Sequence, residues 1–383
     1  MRLAINGWFW NQPNTGSGQT VRYLLPALLE QQPELEIMLV VPGRTNRPDT
    51  PLPDRVSWVP TPTRPGNLGK LWFEQVTFPR LCRQLQADLA HVPYFASPLE
   101  PSIPTVVTIH DVIPLVLPAY RGNVLVRMYT ALVAAAAGRA RVILTDSHAS
   151  RRDIVTRLRV APERVRVVYL APAPHYQPIE DDAQLAVVRR RYNLPEAFML
   201  WLSGFDVRKN ARAVLCAHTW VHAALEDAYP LVMAGALPAR DTRFFPDPRR
   251  IAAELGLEQA VRFIGHIDEA DKPAVYSAAT LFIYPSRYEG FGLPILEAMA
   301  CGTPVVTSNV TSLPELAGAA AFQLDPDDTR GMAGAMIALC TEPELRCALR
   351  EKGLQQAAGF TWYKTATQTW AAYQDALQMS WVG

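Results

Sequence analysis

SRYEGFGLPILEAMACGTPVV, residues 286–306, decides how this chain is read. A β-rich run, ATLFIYPS (279–286), leads into it. A Gly-Phe-Gly turn then opens onto Pro294 and the helix-forming LPILEAMAC, which Gly302 and Pro304 bring to a stop. Proline at a first helical position loses no hydrogen bond, and glycine just past the end takes the left-handed backbone of a helix stop. A glycine turn that feeds a helix from a strand presents backbone N–H groups and the positive dipole end to an anion. Glu289 stands in the turn and Glu297 early in the helix, one carboxylate on each side of that anion site. Carboxylates accept from hydroxyls and amides donate to phosphate, a combination that suits a sugar nucleotide. The same residues also fit a plainer reading, a dipole-stabilising Glu in a helix and a surface Glu in a loop.

The surroundings repeat the strand–helix pattern. Apolar β-rich runs occur at 198–204, 229–235, 261–267, 279–286 and 303–309, and in the other half at 2–6, 36–41, 104–109 and 141–145, with helical stretches such as 18–31 and 148–158 between. Strands alternating with helices imply right-handed βαβ units and parallel sheets. The expected fold is α/β: two doubly wound Rossmann-like domains, 1–175 and 176–360, facing across a cleft, with the Pro- and acid-rich APAPHYQPIEDD (171–182) as linker. Residues 361–383 carry aromatics at 362, 363, 370 and 373 and are expected to form a terminal helix that packs back on the N-terminal domain. Ligands of such sheets bind beyond the carboxyl ends of the strands.

Composition sets the outer limits. The 383 residues are 49% apolar and 19% charged, enough for two real cores. Five scattered cysteines, none in a CxxC pair, argue for a reducing compartment and against a disulfide framework or zinc site. MRLAINGWFW reads as a first strand and not as a signal peptide, so a cytoplasmic location is expected. VLVRMYTALVAAAAG (124–138) is the nearest approach to a membrane span, but Arg127 interrupts it, and the reading is a buried helix and not a membrane-lying one. Residues 1–178 hold 19 Lys+Arg against 12 Asp+Glu, and the remainder 18 against 24. The basic half either faces something anionic or carries solvated helix faces.

Four further stretches follow strands. In LSGFDVRKNARAVLCAH (202–218), Arg208, Lys209 and Asn210 open a helix, where two cations oppose the dipole unless an anion lies between them. VVTIHDVIP (106–114) ends a strand with His110 and Asp111. PNTGSGQTVRY (13–23) brings Gly16 and Gly18 after the first strand, without the third glycine of a dinucleotide fingerprint. FIGHI (263–267) closes another strand. LTDSHASRRDI (144–154) reads as strand, cap and helix, and the D-x-D of DPDD (325–328) as a late turn and not a metal site.

EGFGLPILE (289–297) resembles the E-x7-E motif of retaining glycosyltransferases of the GT-B fold, in the large family numbered four. The text from Ser286 to Asp328 is similar to that family's pattern nearly throughout, and the resemblance covers essentially the whole chain. It implies that Glu289 reaches the donor sugar and Glu297 the ribose, with the amides of Phe291, Gly292 and Leu293 on sugar and diphosphate. Lys209 matches the family's diphosphate lysine; Phe205 stands where the family's arginine usually follows the glycine, and Arg208 would take over that role. His110 falls near the donor sugar with Asp111 orienting it, Gly16 and Gly18 near phosphates and acceptor, and the FIGHI backbone at the base. The implied activity is retaining, metal-independent hexosyl transfer without cofactor. Mannose from GDP-mannose is the leading donor and glucose from UDP-glucose the next. The implied acceptor is a glycan or lipid-linked glycan, with peripheral contact to an anionic membrane surface; nucleic acid is not an expected partner. A non-catalytic two-lobed sugar-binding protein and a sugar-nucleotide epimerase on the same fold are the alternatives.

Overall fold

The computed structural model describes residues 1–12, 15–48 and 52–379. The chain divides into two compact units, Met1–Leu170 with Thr361–Gly383, and Ala171–Phe360.

In the first unit seven strands form one sheet: β1 (Arg2–Asn6), β2 (Glu36–Pro42), β3 (Val56–Thr61), β4 (Leu89–Val92), β5 (Thr105–Thr108), β6 (Val142–Thr145) and β7 (Val165–Val167). The order is β3-β2-β1-β4-β5-β6-β7 and every pairing is parallel. In the second unit six strands do the same: β8 (Met199–Leu202), β9 (Leu231–Ala234), β10 (Val261–Gly265), β11 (Leu281–Tyr284), β12 (Val305–Ser308) and β13 (Ala321–Leu324), in the order β10-β9-β8-β11-β12-β13. Strands covered by helices on both faces need no polar alternation, which is why LAI in β1, LVVP in β2 and LFIY in β11 are buried at successive residues. Each sheet reverses its winding beside its first strand, between β1 and β4 and between β8 and β11. Loops leaving the carboxyl ends diverge at such a point and open a crevice.

The terminal helix Trp362–Gln378 lies on the first unit. The Arg141 guanidinium donates to the Ala376 carbonyl at 2.6 Å, and the Thr365 hydroxyl to the Tyr169 carbonyl at 2.7 Å. The Tyr373 hydroxyl bonds His91 Nδ1 at 2.7 Å, while His91 Nε2 bonds the Thr108 hydroxyl at 2.8 Å. Burial holds His91 neutral, its pKa pushed down to about 3.

One expectation fails. The helix Val124–Ala137 is not buried: Val133, Ala136 and Ala137 reach the core, while Val124, Leu125, Val126 and Met128 stand in solvent. Val133 and Ala137 join the core cluster, while among the described residues no element buries the large side chains of its first turns, which the Asn123 side chain caps.

Candidate active site

The loops leaving β8 and β11 meet at the winding reversal of the second sheet. After β8 the chain turns at Ser203–Gly204 and returns Phe205 to the core, where its ring lies 4.7 Å from Trp201. Phe205 is therefore a packing residue. A short turn, Val207–Lys209, follows, and Asn210 takes the left-handed backbone (φ 59°) that starts the helix Ala211–Leu225. The Asn210 amide donates to the carbonyls of Pro285 (3.2 Å) and Pro326 (2.7 Å), and the Arg208 carbonyl accepts from Arg287 N (2.9 Å) and the Ser286 hydroxyl (3.1 Å). These bonds lock the β8 loop to the β11 loop.

The lock sets two cations on one carboxylate. Arg208 Nη1 lies 2.6 Å from Glu289 Oε2 and donates to the Tyr288 carbonyl at 2.8 Å. Lys209 Nζ donates to Glu289 Oε1 at 2.7 Å and to the Tyr284 hydroxyl at 2.5 Å, and that hydroxyl donates to Glu289 Oε1 at 2.9 Å. Asp206 lies 3.5 Å from Arg208 Nε, so the cluster holds two charges of each sign. Burial alone would raise the Glu289 pKa, but Lys209 and Arg208 outweigh it and hold the carboxyl at about 2. Burial lowers the Lys209 pKa against the pull of Glu289, whereas Glu289 and Asp206 raise that of Arg208 against burial.

The turn beyond is held just as firmly. Glu289 N donates to the Thr311 hydroxyl (3.1 Å), and the Ser312 hydroxyl donates to the carbonyls of Glu289 (3.0 Å) and Phe291 (2.6 Å). Gly292 caps the helix Leu293–Ala300 at φ +110°, and a Cβ there would lie 2.5 Å from Leu313 Cδ2. Glu297 is the fifth residue of that helix, 4% exposed, and accepts from the Tyr276 hydroxyl at 3.2 Å. Its environment differs from that of Glu289: burial dominates, only partly offset by Lys272, and the pKa rises to about 7. The two glutamates thus separate into a permanently ionised carboxylate and one poised to change charge at neutral pH.

In the first unit, Thr15 caps the helix Gly16–Gln31 by accepting from Gly18 N at 3.1 Å. Pro13 and Asn14 of the predicted glycine loop lie outside the described residues. A Cβ on Gly18 would fall 1.9 Å from the Gln12 carbonyl oxygen, so only glycine fits, while one on Gly16 would stand 4.0 Å from the His110 ring. His110 Nδ1 bonds Asp146 Oδ2 at 2.6 Å. Asp111 instead accepts from Ile113 N at 3.0 Å. The carboxylate that orients His110 is therefore Asp146, which the sequence reading passed over inside LTDSHASRRDI. Its signal was an acid at the end of β6, the strand paired with the one that delivers His110. Burial pulls the His110 pKa down, and the Asp146 charge and hydrogen bond outweigh it, for a net rise. Sequence reasoning also missed Tyr284 and Tyr276.

The D-x-D residues have local roles. Asp325 accepts from Asp327 N (2.8 Å), Asp327 pairs with Arg287, and Asp328 caps the helix Thr329–Thr341. Among the described residues no cluster of His, Cys, Asp or Glu could hold a metal, and no helix is long and apolar enough to cross a membrane.

The family model described as Glycosyltransferase Family 4 matches residues 14–171, and that described as Glycosyl transferases group 1 matches residues 189–356. The O-antigen chain mannosyltransferase B of Escherichia coli is 34% identical over 271 residues, 70% of this chain and 70% of its own. The serotype-specific mannosyltransferase WbdA of Escherichia coli is 31% identical over 280 residues, 72% of this chain but 34% of its own, so this chain spans about a third of that relative. The crystal structure of WaaG, a glycosyltransferase involved in lipopolysaccharide biosynthesis, matches with a TM-score of 0.71 at 18% identity, over 97% of this chain and 98% of that one.

Proposed function

This chain belongs to glycosyltransferase family 4, with the two parallel-sheet domains of the GT-B fold, and from that premise we propose that it is a retaining, metal-independent mannosyltransferase. The donor is GDP-mannose, ahead of UDP-glucose, and the acceptor a hydroxyl of a glycan or lipid-linked glycan. The mannosyltransferase names of the relatives support the sugar. The observation that carries the reading is the Arg208–Lys209–Tyr284–Glu289 cluster at the β8/β11 reversal.

Departure of a nucleoside diphosphate needs charge stabilisation at the leaving oxygens, and fixed cations in a water-poor site provide it without reorganising. Arg208 and Lys209 are already held in place, and the amides of Phe291, Gly292 and Leu293 at the helix start add donors for sugar and diphosphate. Glu289 has the wrong properties for a nucleophile or a general acid: both oxygens are occupied by cations and its pKa is about 2. Its role here is to hold the cations and accept from a sugar hydroxyl. A two-carboxylate glycosidase needs both groups flanking the scissile bond, whereas Glu297 is assigned here to the ribose. Same-face attack, with a donor phosphate oxygen taking the acceptor proton, agrees with this assignment. Glu297, ionised above neutrality, accepts from the ribose hydroxyls. In the first unit His110, oriented by Asp146 and within the field of Asp111, serves the transfer step, and Gly16 and Gly18 let backbone approach the substrates.

The scattered spacing of the five cysteines, none in a CxxC pair, supports a reducing, cytoplasmic location. The test is transfer from GDP-mannose to a mannose-terminated glycan in excess chelator, with the new linkage read by NMR. An α-mannosyl product is expected. A β product, loss of activity with chelator, or preference for UDP-glucose would each remove one part of the proposal.

A further inference from the structure

The first unit holds a polar cluster that the donor site leaves unused. It forms at the winding reversal of the first sheet, where β1 ends at Asn6 and Tyr94 follows β4. Ligands of parallel sheets bind at such points. The helix Gly66–Trp72 passes into the π-helical turn Phe73–Thr77, which leaves Trp72 in solvent and buries Glu74 completely. π-Helical turns are frequent at functional sites.

Glu74 holds a lysine and a phenol. Lys70 Nζ lies 3.2 Å from Glu74 Oε1 and donates to the Tyr129 hydroxyl at 3.0 Å, and that hydroxyl donates to Glu74 Oε2 at 3.0 Å. Burial raises the Glu74 pKa, and Lys70 and Tyr129 pull it back. The rings of Phe9, Tyr94 and Tyr129 stand 5.5, 5.4 and 5.1 Å from the ammonium, within cation–π reach. An ammonium has three N–H groups, so these two partners leave one for a ligand, and 24% of the Lys70 side chain is exposed. Phe9 and Tyr129 are half-buried, as is Trp8, whose ring lies 5.2 Å from Phe73.

Asn6 adds an independent sign of a ligand. It is fully buried, and its Oδ1 accepts from Trp8 N at 3.0 Å, but its Nδ2 has no partner among the described residues. Buried polar groups are nearly always paired, so an unpaired donor calls for an explanation. The cluster also adjoins the transfer residue. The backbone of Pro93, which precedes Tyr94, adds to the rise in the His110 pKa.

Charge and shape select the ligand. Lys70 and Glu74 balance one another, and a phosphate would bring its own charge against the buried carboxylate. A sugar ring brings hydroxyls to bond and C–H faces to lie on aromatic rings, the mixture of groups that this cluster offers.

We propose that this cluster is the subsite for the acceptor's terminal sugar, a neutral pyranose that lies on Trp8 and Phe9 with hydroxyls on Lys70 and Tyr129, and that Glu74 is a positioning residue that holds both. The proposal deepens the transferase reading and rests on it for calling that sugar the acceptor.

The experiment pairs saturation-transfer NMR of mannobiose and of mannose 6-phosphate, without donor, with the mannobiose KM at saturating GDP-mannose. The wild type should bind mannobiose in preference to mannose 6-phosphate. Lys70→Met and Tyr129→Phe, at partly exposed positions, should each raise the mannobiose KM roughly tenfold, with GDP-mannose affinity unchanged by calorimetry. Glu74→Gln should raise that KM too, and by leaving the Lys70 charge unmatched should reverse the preference toward mannose 6-phosphate. General loosening of the fold would weaken both ligands together. A wild type that binds no mannobiose, an unchanged KM in Lys70→Met and Tyr129→Phe, or an equal loss of both ligands in Glu74→Gln overturns the proposal. Transfer from GDP-mannose with those unchanged KM values would leave the transferase reading standing without this subsite. Mannobiose binding that Lys70→Met abolishes, in a chain that binds no nucleotide sugar, would keep the subsite and remove the transferase reading instead.

Discussion

Glu297 tests the reading at the scale of a residue. Its pKa is 4.5 in an exposed chain and about 7 when folded. Between those values the folded state keeps a proton that the unfolded chain gives up, so a penalty on folding is absent below pH 4.5 and complete above pH 7. Glu297→Gln should therefore stabilise the ligand-free protein at pH 8, by about 1–3 kcal/mol, and do little at pH 4.5. Urea unfolding at the two values checks this, and an equal effect at both would contradict it. Asp146 makes the second case. Asp146→Asn should lower the His110 pKa as followed by NMR, with Asp111 and the neutral His91 left in place as the other titratable neighbours. The raised His110 pKa contributes stability that is complete below pH 6.5 and lost as pH rises through the folded value, so the variant's deficit should shrink in alkaline solution. An unmoved His110 titration would deny Asp146 its role. These two residues also show what a sequence conceals. Glu297 announces itself through a helix start eight residues from its partner glutamate. Asp146 lies 36 residues from His110, and only the pairing of β5 with β6 brings them together.

At the scale of an element, the turn 289–292 does most of the positioning. Gly292 holds φ +110°, a conformation that side-chain-bearing residues rarely adopt, and Leu313 fills the space a Cβ would need. Gly292→Ala should cost about 1–3 kcal/mol in urea unfolding and weaken donor binding as well, because the helix amides turn with it. A cost under about 0.5 kcal/mol would mean that the turn relaxes freely. This element was legible because its grammar is local: glycine, proline and helix formers over a dozen residues. The β8 loop was half legible. Arg208 and Lys209 stood out as cations at a helix start, while the fate of Phe205 depended on Trp201, whose ring forms its side of the core. The helix Val124–Ala137 was misjudged because hydrophobicity reports the tendency to be covered and not whether a covering element exists. Short strands such as β4 (LAHV) and β7 (VRV) escaped notice because three or four residues carry too little pattern.

For the whole molecule, the alternation of strands and helices was enough to give two doubly wound sheets, and the winding reversal of each sheet then dictates where loops converge. The charges that matter in the second unit lie there, on loops after β8 and β11, and ion pairs and hydrogen bonds within the protein join those loops. A site assembled in advance should bind its donor tightly enough to measure with no acceptor present. The decisive measurement is calorimetric titration of GDP-mannose, in chelator, into the wild type and into Lys209→Ala and Glu297→Ala. The wild type should bind, and each variant should lose roughly tenfold or more in affinity, as expected when a hydrogen bond to a charged group is removed. Wild-type affinity in both variants, or no binding of any nucleotide sugar by the wild type, would contradict the assignment of this cluster as the donor site.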